Sequence, residues 1–259
     1  MPNGLSASFQ LENVTIAFGS TLALNALSLD IQPGERVALV GPSGGGKSTL
    51  LNCLVGAVIP RSGRLISLGR DLSTLSPRQV RTLRSQVGFI HQQLDLVPNL
   101  RVIQNIVCGR LGKRNFAQSV RDLLYPSKAD TLHVHRLLER VGIPEKLYQR
   151  TDKLSGGQQQ RVAIARALFP GPGTLLADEP VSSIDPARAC DLVELLTCIA
   201  KEEGLTLIMS IHNLELAKAF FPRLVGLRHG SVAFDKQVEE ITEEDFNALY
   251  DLSQEELLT

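Results

Sequence analysis

Eight consecutive residues, Gly41-Pro42-Ser43-Gly44-Gly45-Gly46-Lys47-Ser48, have the composition of a loop that grips phosphate. Glycines let successive backbone N–H groups converge on an anion with no side chain in the way, and a helix starting at Lys47 would add the positive end of its dipole. In this pattern the lysine neutralises the β- and γ-phosphates of a nucleoside triphosphate, and the Ser48 hydroxyl is a ligand for Mg2+. Thr49 follows directly and is explained by the same loop. Far downstream, Leu175-Leu176-Ala177-Asp178-Glu179-Pro180 sets two carboxylates straight after an apolar run. Adjacent acids at a strand end can divide labour: Asp178 holds Mg2+, directly or through its hydration shell, and Glu179 polarises an attacking water as general base.

The same glycine loop also matches GxSxG, the turn that carries the nucleophilic serine of many hydrolases, and Asp178 and His212 follow in that order. In such an enzyme Ser43 would attack the substrate, and nothing would require Lys47, Ser48 and Thr49 behind it. A phosphate loop accounts for all of them.

A third motif, Leu154-Ser155-Gly156-Gly157-Gln158, leads into Gln159–Leu168, whose apolar period is helical. It is a second helix start equipped to hold phosphate. With it the chain resembles the ATP-binding-cassette ATPases, whose signature is LSGGQ, and the resemblance covers about Phe9 to Phe234. It implies that ATP and Mg2+ are bound, with Phe18 as the aromatic that stacks on adenine, although the family more often has tyrosine there. Gln92, with Gln93 beside it one register away, resembles the glutamine that reaches Mg2+ and the attacking water and links them to the helical region. His212 resembles the switch histidine on the γ-phosphate. Ser182-Ser183-Ile184-Asp185 resembles the loop that crosses to the opposite subunit, with isoleucine where leucine is usual. The family holds each nucleotide between the phosphate loop of one copy and the signature of another, so the resemblance implies a homodimer in which Ser155, Gly156, Gly157 and Gln158 act in trans. It also implies transmembrane permease subunits and, indirectly, a periplasmic or lipoprotein substrate-binding protein.

Within the family, the long segment Asn105–Leu132, the run Gln158–Leu168 and the tail Asp245–Tyr250 are similar to the ATPase subunits of phosphonate and phosphite importers. Importers for amino acids, metals or lipoproteins share much of the same sequence. A soluble cassette ATPase working on nucleic acid or ribosomes is the other class; such proteins typically need two tandem cassettes or long coiled-coil arms, whereas this chain has one cassette and no sustained heptads.

These residues need elements to position them. Phe9–Phe18 and Ala23–Ile31 alternate as half-buried antiparallel strands do, and Arg36–Val40 is a short apolar run suited to a buried parallel strand ahead of the helical Lys47–Val55. From Pro77 to Arg166 the apolar spacing is helical, in Val80–Leu83, Val102–Val107, Val120–Leu124, Leu132–Val141 and Val162–Leu168. Strand-helix alternation resumes in Thr174–Ala177, Arg188–Ala200, Leu205–Ile211 and Leu214–Phe220, with Arg223–Leu227 and Val232–Phe234 as closing strands and Glu243–Leu252 as a terminal amphipathic helix. The expected fold is α/β: a P-loop NTPase core with a mainly parallel sheet, an N-terminal antiparallel β subdomain and an inserted helical subdomain. We expect one nucleotide-binding domain over 1–259, with core at about 7–76 and 167–236, the helical subdomain at about 77–166 and an acidic helical tail at 237–259.

Composition narrows the partners. Lysine plus arginine and aspartate plus glutamate both number 27 in 259 residues, without the basic excess of a nucleic-acid-binding domain. Positions 61–150 nevertheless hold 16 Lys/Arg against 6 Asp/Glu, which reads either as a solvated face or as a docking surface near anionic lipid or a partner. Glu239 to Glu256 is acidic without a single Lys or Arg. Cys53, Cys108, Cys190 and Cys198 form no CxxC pair and read as small core hydrophobes in a reducing compartment. Met1–Ser8 has neither the charge nor the apolar run of a signal peptide. The best apolar stretch, Leu205–Ile211, is far short of the ~20 residues of a spanning helix. The expectation is a peripheral protein on the cytoplasmic face of a bacterial inner membrane, held there by its permease.

Overall fold

Alternating apolar residues along Phe9–Phe18 build the first strand, with Phe9, Leu11, Val14 and Ile16 buried on one face. A computed structural model of the chain describes residues 9–113, 115–181 and 185–250. Met1–Ser8, the Ser182–Ile184 part of the crossing loop and the acidic tail beyond Tyr250 lie outside the described residues. The elements run β1 (Phe9–Phe18), β2 (Thr21–Ile31), β3 (Arg36–Val40), α1 (Lys47–Leu54), β4 (Ser62–Ser67), β5 (Arg70–Asp71), α2 (Pro77–Arg84) and β6 (Val87–Ile90). There follow α3 (Val102–Cys108), α4 (Phe116–Leu124), α5 (Lys128–Arg140), α6 (Gly156–Leu168), β7 (Thr174–Ala177) and α7 (Pro186–Glu203). The chain closes with β8 (Thr206–Ser210), α8 (Leu214–Phe220), β9 (Arg223–Arg228), β10 (Ser231–Gln237) and α9 (Glu243–Tyr250).

Two sheets form. The first, ordered β2-β1-β4-β5, is antiparallel; the second, ordered β10-β9-β3-β8-β7-β6, is parallel except for β10. Because strand side chains alternate, the six-stranded sheet feeds two cores. Val37, Leu39, Leu176, Ile208 and Val225 pack toward β1, β2 and α1, whereas Ala38, Val40, Leu175, Leu207, Met209 and Leu224 pack toward the helices. Truncating one of these fully buried leucines to alanine should cost about 2–5 kcal/mol. Helix ends are marked by local chemistry: α7 starts with Asp185 accepting from the Arg188 N–H and Pro186 in its first turn, and stops at Gly204, which takes φ 64.

The structure corrects two expectations. Val87–Ile90 falls inside the stretch read as helical, yet it is the edge strand β6, paired in parallel with β7. Four apolar residues are too few to display a period, and Gly88 lies so close to α6 that a Cβ there would meet the Ala167 carbonyl oxygen at 2.7 Å. The cysteines also differ. Only Cys53 is a buried core residue, its thiol pushed up to about 12 by burial; Cys108 and Cys190 are half-buried, and Cys198 is exposed on the outer face of α7. Among the described residues, no helix is long and apolar enough to cross a membrane.

Candidate active site

The glycine loop is wedged between other backbones. Gly41, Gly44 and Gly46 take φ values of 140, 78 and 102, in the region L side chains avoid. A Cβ on Gly41 would run into the Leu227 carbonyl of β9, one on Gly45 would meet the same oxygen at 2.7 Å, and one on Gly46 would meet the Ala23 oxygen of β2 at 2.7 Å. Gly45 donates to the Pro42 carbonyl at 3.1 Å and accepts from the Gly230 N–H at 3.2 Å. Gly46 heads α1 without a side-chain cap, so the first-turn N–H groups are left for an anion, and the space around Gly44 is open. Those features fit a triphosphate.

Lys47 is buried, and its ammonium donates to the carbonyls of Gly41 at 2.8 Å and Pro42 at 2.9 Å. Burial pulls its pKa below the ordinary lysine value, while the charges of Glu179 and Asp178 pull it back up. Strand β7 delivers those two acids. Asp178 accepts from the Ser48 hydroxyl and from the Ser210 hydroxyl, both at 2.9 Å. Ser210 in turn accepts the Glu179 N–H at 2.8 Å, so one serine at the end of β8 orients both carboxylate-bearing residues.

Glu179 has φ 46, an uncommon conformation for a residue with a side chain. Its carboxylate is shared: the Gln92 amide donates to one oxygen at 3.3 Å and the His212 Nε2 lies against the other. Gln92, rather than Gln93, is the member of the pair that reaches Glu179. Asp178 is engaged with serines and His212 with Glu179, so neither is aligned behind Ser43 as a hydrolase triad would require. The oxygens of Ser48, Asp178 and the Gln92 amide are hard donors suited to Mg2+. Among the described residues no three His, Cys, Asp or Glu side chains form a metal cluster.

Other expected site residues lie apart from this cluster. Phe18 ends β1 with its side chain 55% exposed. Ser155 caps α6 and exchanges hydrogen bonds with Gln158, while Gly156 and Gly157 have nothing within 4 Å of where a Cβ would stand. Asp185 caps α7. Thr49 sits half-buried in the first turn of α1.

Three contributors went unrecognised in the sequence. Ser210 is one, legible only as the residue two before His212. Arg166, in the last turn of α6, donates to the carbonyls of Leu94 and Asp95 at 2.6 Å and so straps the loop after Gln92 to the signature helix. Tyr250, at the end of α9, brings its hydroxyl close to the Gly41 backbone, which partly offsets the upward pull of burial on its pKa, and is placed there by the buried Leu249 and by Arg228 donating to the Ala248 carbonyl at 2.6 Å.

Comparison with known proteins gives concordant matches. The family profile described as "ABC transporter" matches residues 24–182. A "Phosphonates import ATP-binding protein PhnC" of Pseudomonas putida is 44% identical over 245 residues, covering 95% of this chain and 90% of that protein. Its counterpart in Anaeromyxobacter dehalogenans is 45% identical over 235 residues; there the match takes in 91% of this chain but spans only 46% of the longer relative. Among solved structures, the dimeric MJ0796, a bacterial ABC transporter cassette, superposes with a TM-score of 0.77 at 29% identity, covering 90% of this chain and all of that one. CbiO1 from Clostridium perfringens, part of the ABC transporter complex cbiONQ, gives 0.77 at 26% identity, covering 96% of each chain.

Proposed function

The chain belongs to the ABC transporter family of ATP-binding cassettes, an ATPase family, and from that premise we propose that it is the motor subunit of an importer for phosphonate- or phosphite-type oxyanions. The relatives named for phosphonate import support the solute class. The observation that carries the motor reading is the Glu179 carboxylate, held by Gln92 and His212 beside Lys47 and the Ser48–Asp178 pair.

In this reading the loop amides of Gly41 to Thr49 and the Lys47 ammonium bind the triphosphate, and Phe18 stacks on adenine. Ser48, Gln92 and Asp178 hold Mg2+, which when bound offsets the negative charge on the phosphate oxygens. Glu179 takes the proton of the water whose oxygen attacks the γ-phosphorus, and the bond from that phosphorus to the departing ADP oxygen breaks. His212 keeps Glu179 oriented and faces the γ-phosphate.

Ser155, Gly156, Gly157 and Gln158 of a second copy close the site, with Asp185 in the loop between copies, so that ATP favours the dimer and hydrolysis releases it. Arg166 then links the Gln92 loop to the helical region at about 77–166, through which transmembrane permease subunits are driven. A substrate-binding protein acts on the far side, and the chain itself sits on the cytoplasmic face of the inner membrane.

Glu179→Gln tests the core of this reading. Hydrolysis should fall by about 10²- to 10⁴-fold, and saturating ATP with Mg2+ should convert the variant to a dimer in size-exclusion chromatography. A monomer under those conditions overturns the paired site. Uptake of phosphonate, phosphite and phosphate by a strain lacking the gene tests the solute separately, since unchanged uptake of all three would remove the substrate class and leave the ATPase.

A further inference from the structure

Helix α9 is fastened to β9 and β10, beside the phosphate loop. Phe246 meets the Phe234 ring edge-on, with centroids 6.2 Å apart, and Phe234 lies over Gly226, where a Cβ would come within 2.5 Å of its ring. Gly226 in turn pairs in register with Val40, the residue before Gly41. Lys218 of α8 sits over the other ring, 4.1 Å from the Phe246 centroid, and Leu249 is fully buried. At the start of the helix, Asp245 accepts from the Lys236 ammonium at 2.7 Å and from the Thr242 N–H and hydroxyl, both at 2.9 Å.

The far end of α9 reaches the phosphate loop along two lines. Arg228 donates to the Ala248 carbonyl at 2.6 Å, in the last turn, where the helix dipole favours a cation. The turn after Arg228 is packed on the loop: the Gly230 N–H donates to the Gly45 carbonyl at 3.2 Å, and a Cβ on Gly46 would stand 3.4 Å from the Gly230 Cα. The second line is Tyr250, whose hydroxyl comes close to the Gly41 backbone. Gly41 is also one of the two residues whose carbonyls hold the Lys47 ammonium.

We propose that Tyr250 and Arg228 are positioning residues for ATP: through them α9 holds the phosphate loop in the shape its ligand needs and so sets the affinity for nucleotide. The loop has little order of its own, because its glycines carry no side chains to anchor it, and its shape depends on what packs against it. A loop held ready before the ligand arrives binds more tightly than one that must be ordered on binding. Both residues act through loop backbone rather than on the reacting phosphorus, so their loss should weaken binding more than the chemical step. The inference rests on the phosphate loop binding ATP, as proposed above.

Steady-state hydrolysis by the purified full chain, measured across a range of ATP concentrations, tests it. Tyr250→Phe removes a single oxygen and Arg228→Ala removes the guanidinium; each should raise KM for ATP by about five- to tenfold, the usual effect of one lost polar contact, with the loss falling on KM rather than on kcat. Equilibrium binding of ATP in the absence of Mg2+ should weaken by the same factor. Arg228→Lys keeps a cation and a donor for Ala248 and should recover most of the loss. Unchanged KM and ATP affinity in both variants overturns the proposal, as does a lowered melting temperature with no change in KM, or a fall in kcat alone. Absence of ATP binding by the unaltered protein overturns the phosphate-loop reading and this inference with it.

Discussion

The Ser48 hydroxyl, at the head of α1, donates to Asp178 at the end of β7 at 2.9 Å, across 130 residues of sequence. The bond ties the phosphate loop to the strand that carries the acids, and Ser210 grips the same oxygen from β8 at 2.9 Å. A cation between loop and strand would therefore find its ligands already oriented, with little to reorganise on binding.

That relationship predicts graded losses. Asp178→Asn keeps the shape and removes the charge, and should lower the hydrolysis rate by about 10²-fold or more. Ser210→Ala leaves the carboxylate in place but loosens it, so Mg2+ affinity should fall by about 10- to 100-fold, as is usual when a partner of a metal ligand is removed. The rate of hydrolysis titrated against Mg2+ separates the two. A Ser210→Ala curve that overlays the unaltered one would show that the serine does not orient the site.

Gly41→Ala should damage the fold as well as nucleotide binding. Its φ of 140 disfavours any side chain, and the added methyl would collide with the Leu227 carbonyl, a backbone atom that cannot rotate away. Strained backbone of this kind costs about 1–3 kcal/mol before the collision is counted. The midpoint of urea unfolding reads the loss directly, and an unchanged midpoint would mean that β9 and the loop can move apart freely.

His91 makes stability pH-dependent on the acid side. Its ring stacks on Phe89 with centroids 4.2 Å apart, and burial lowers its pKa from the ordinary 6.5, with Arg166 acting in the same direction against Asp95 and Asp178. The unfolded chain then binds more protons than the folded one below 6.5, so this contribution is complete above 6.5 and is lost as pH falls toward the folded-state value. His91→Gln cannot titrate, and its melting temperature should drop less between about pH 7 and about pH 5 than that of the unaltered protein. Equal drops would assign the acid sensitivity to other groups.

Much of the site could be read locally, because its chemistry is set by short-range geometry. A run of glycines ending in Lys47 and Ser48 specifies a backbone that only glycine adopts and a charge that needs an anion, and Ser155 followed three residues later by Gln158 specifies a capped helix start. What failed locally failed for want of length or context: β6 is too short to show a period, and β4 is concealed by Ser62, Gly63 and Arg64 at its start.

The sequence alone determined the glycine loop ahead of α1, the adjacent acids, the Ser155-capped helix start and, apart from β4, β5 and β6, the order of strands and helices, since each rests on residues within a few positions of one another. Only the tertiary structure decided which of these meet: that Gln92 and His212 share Glu179, that Ser210 serves both acids, that Tyr250 returns to Gly41 and that α4 turns its apolar stripe outward. The reason is strand order. Placing β3 between β8 and β9, with β7 beyond β8, brings together chain ends from distant positions. Helical periodicity defines an apolar stripe but is indifferent to the direction it faces; in α4 the buried side carries Asp122, 3.9 Å from the Arg110 guanidinium.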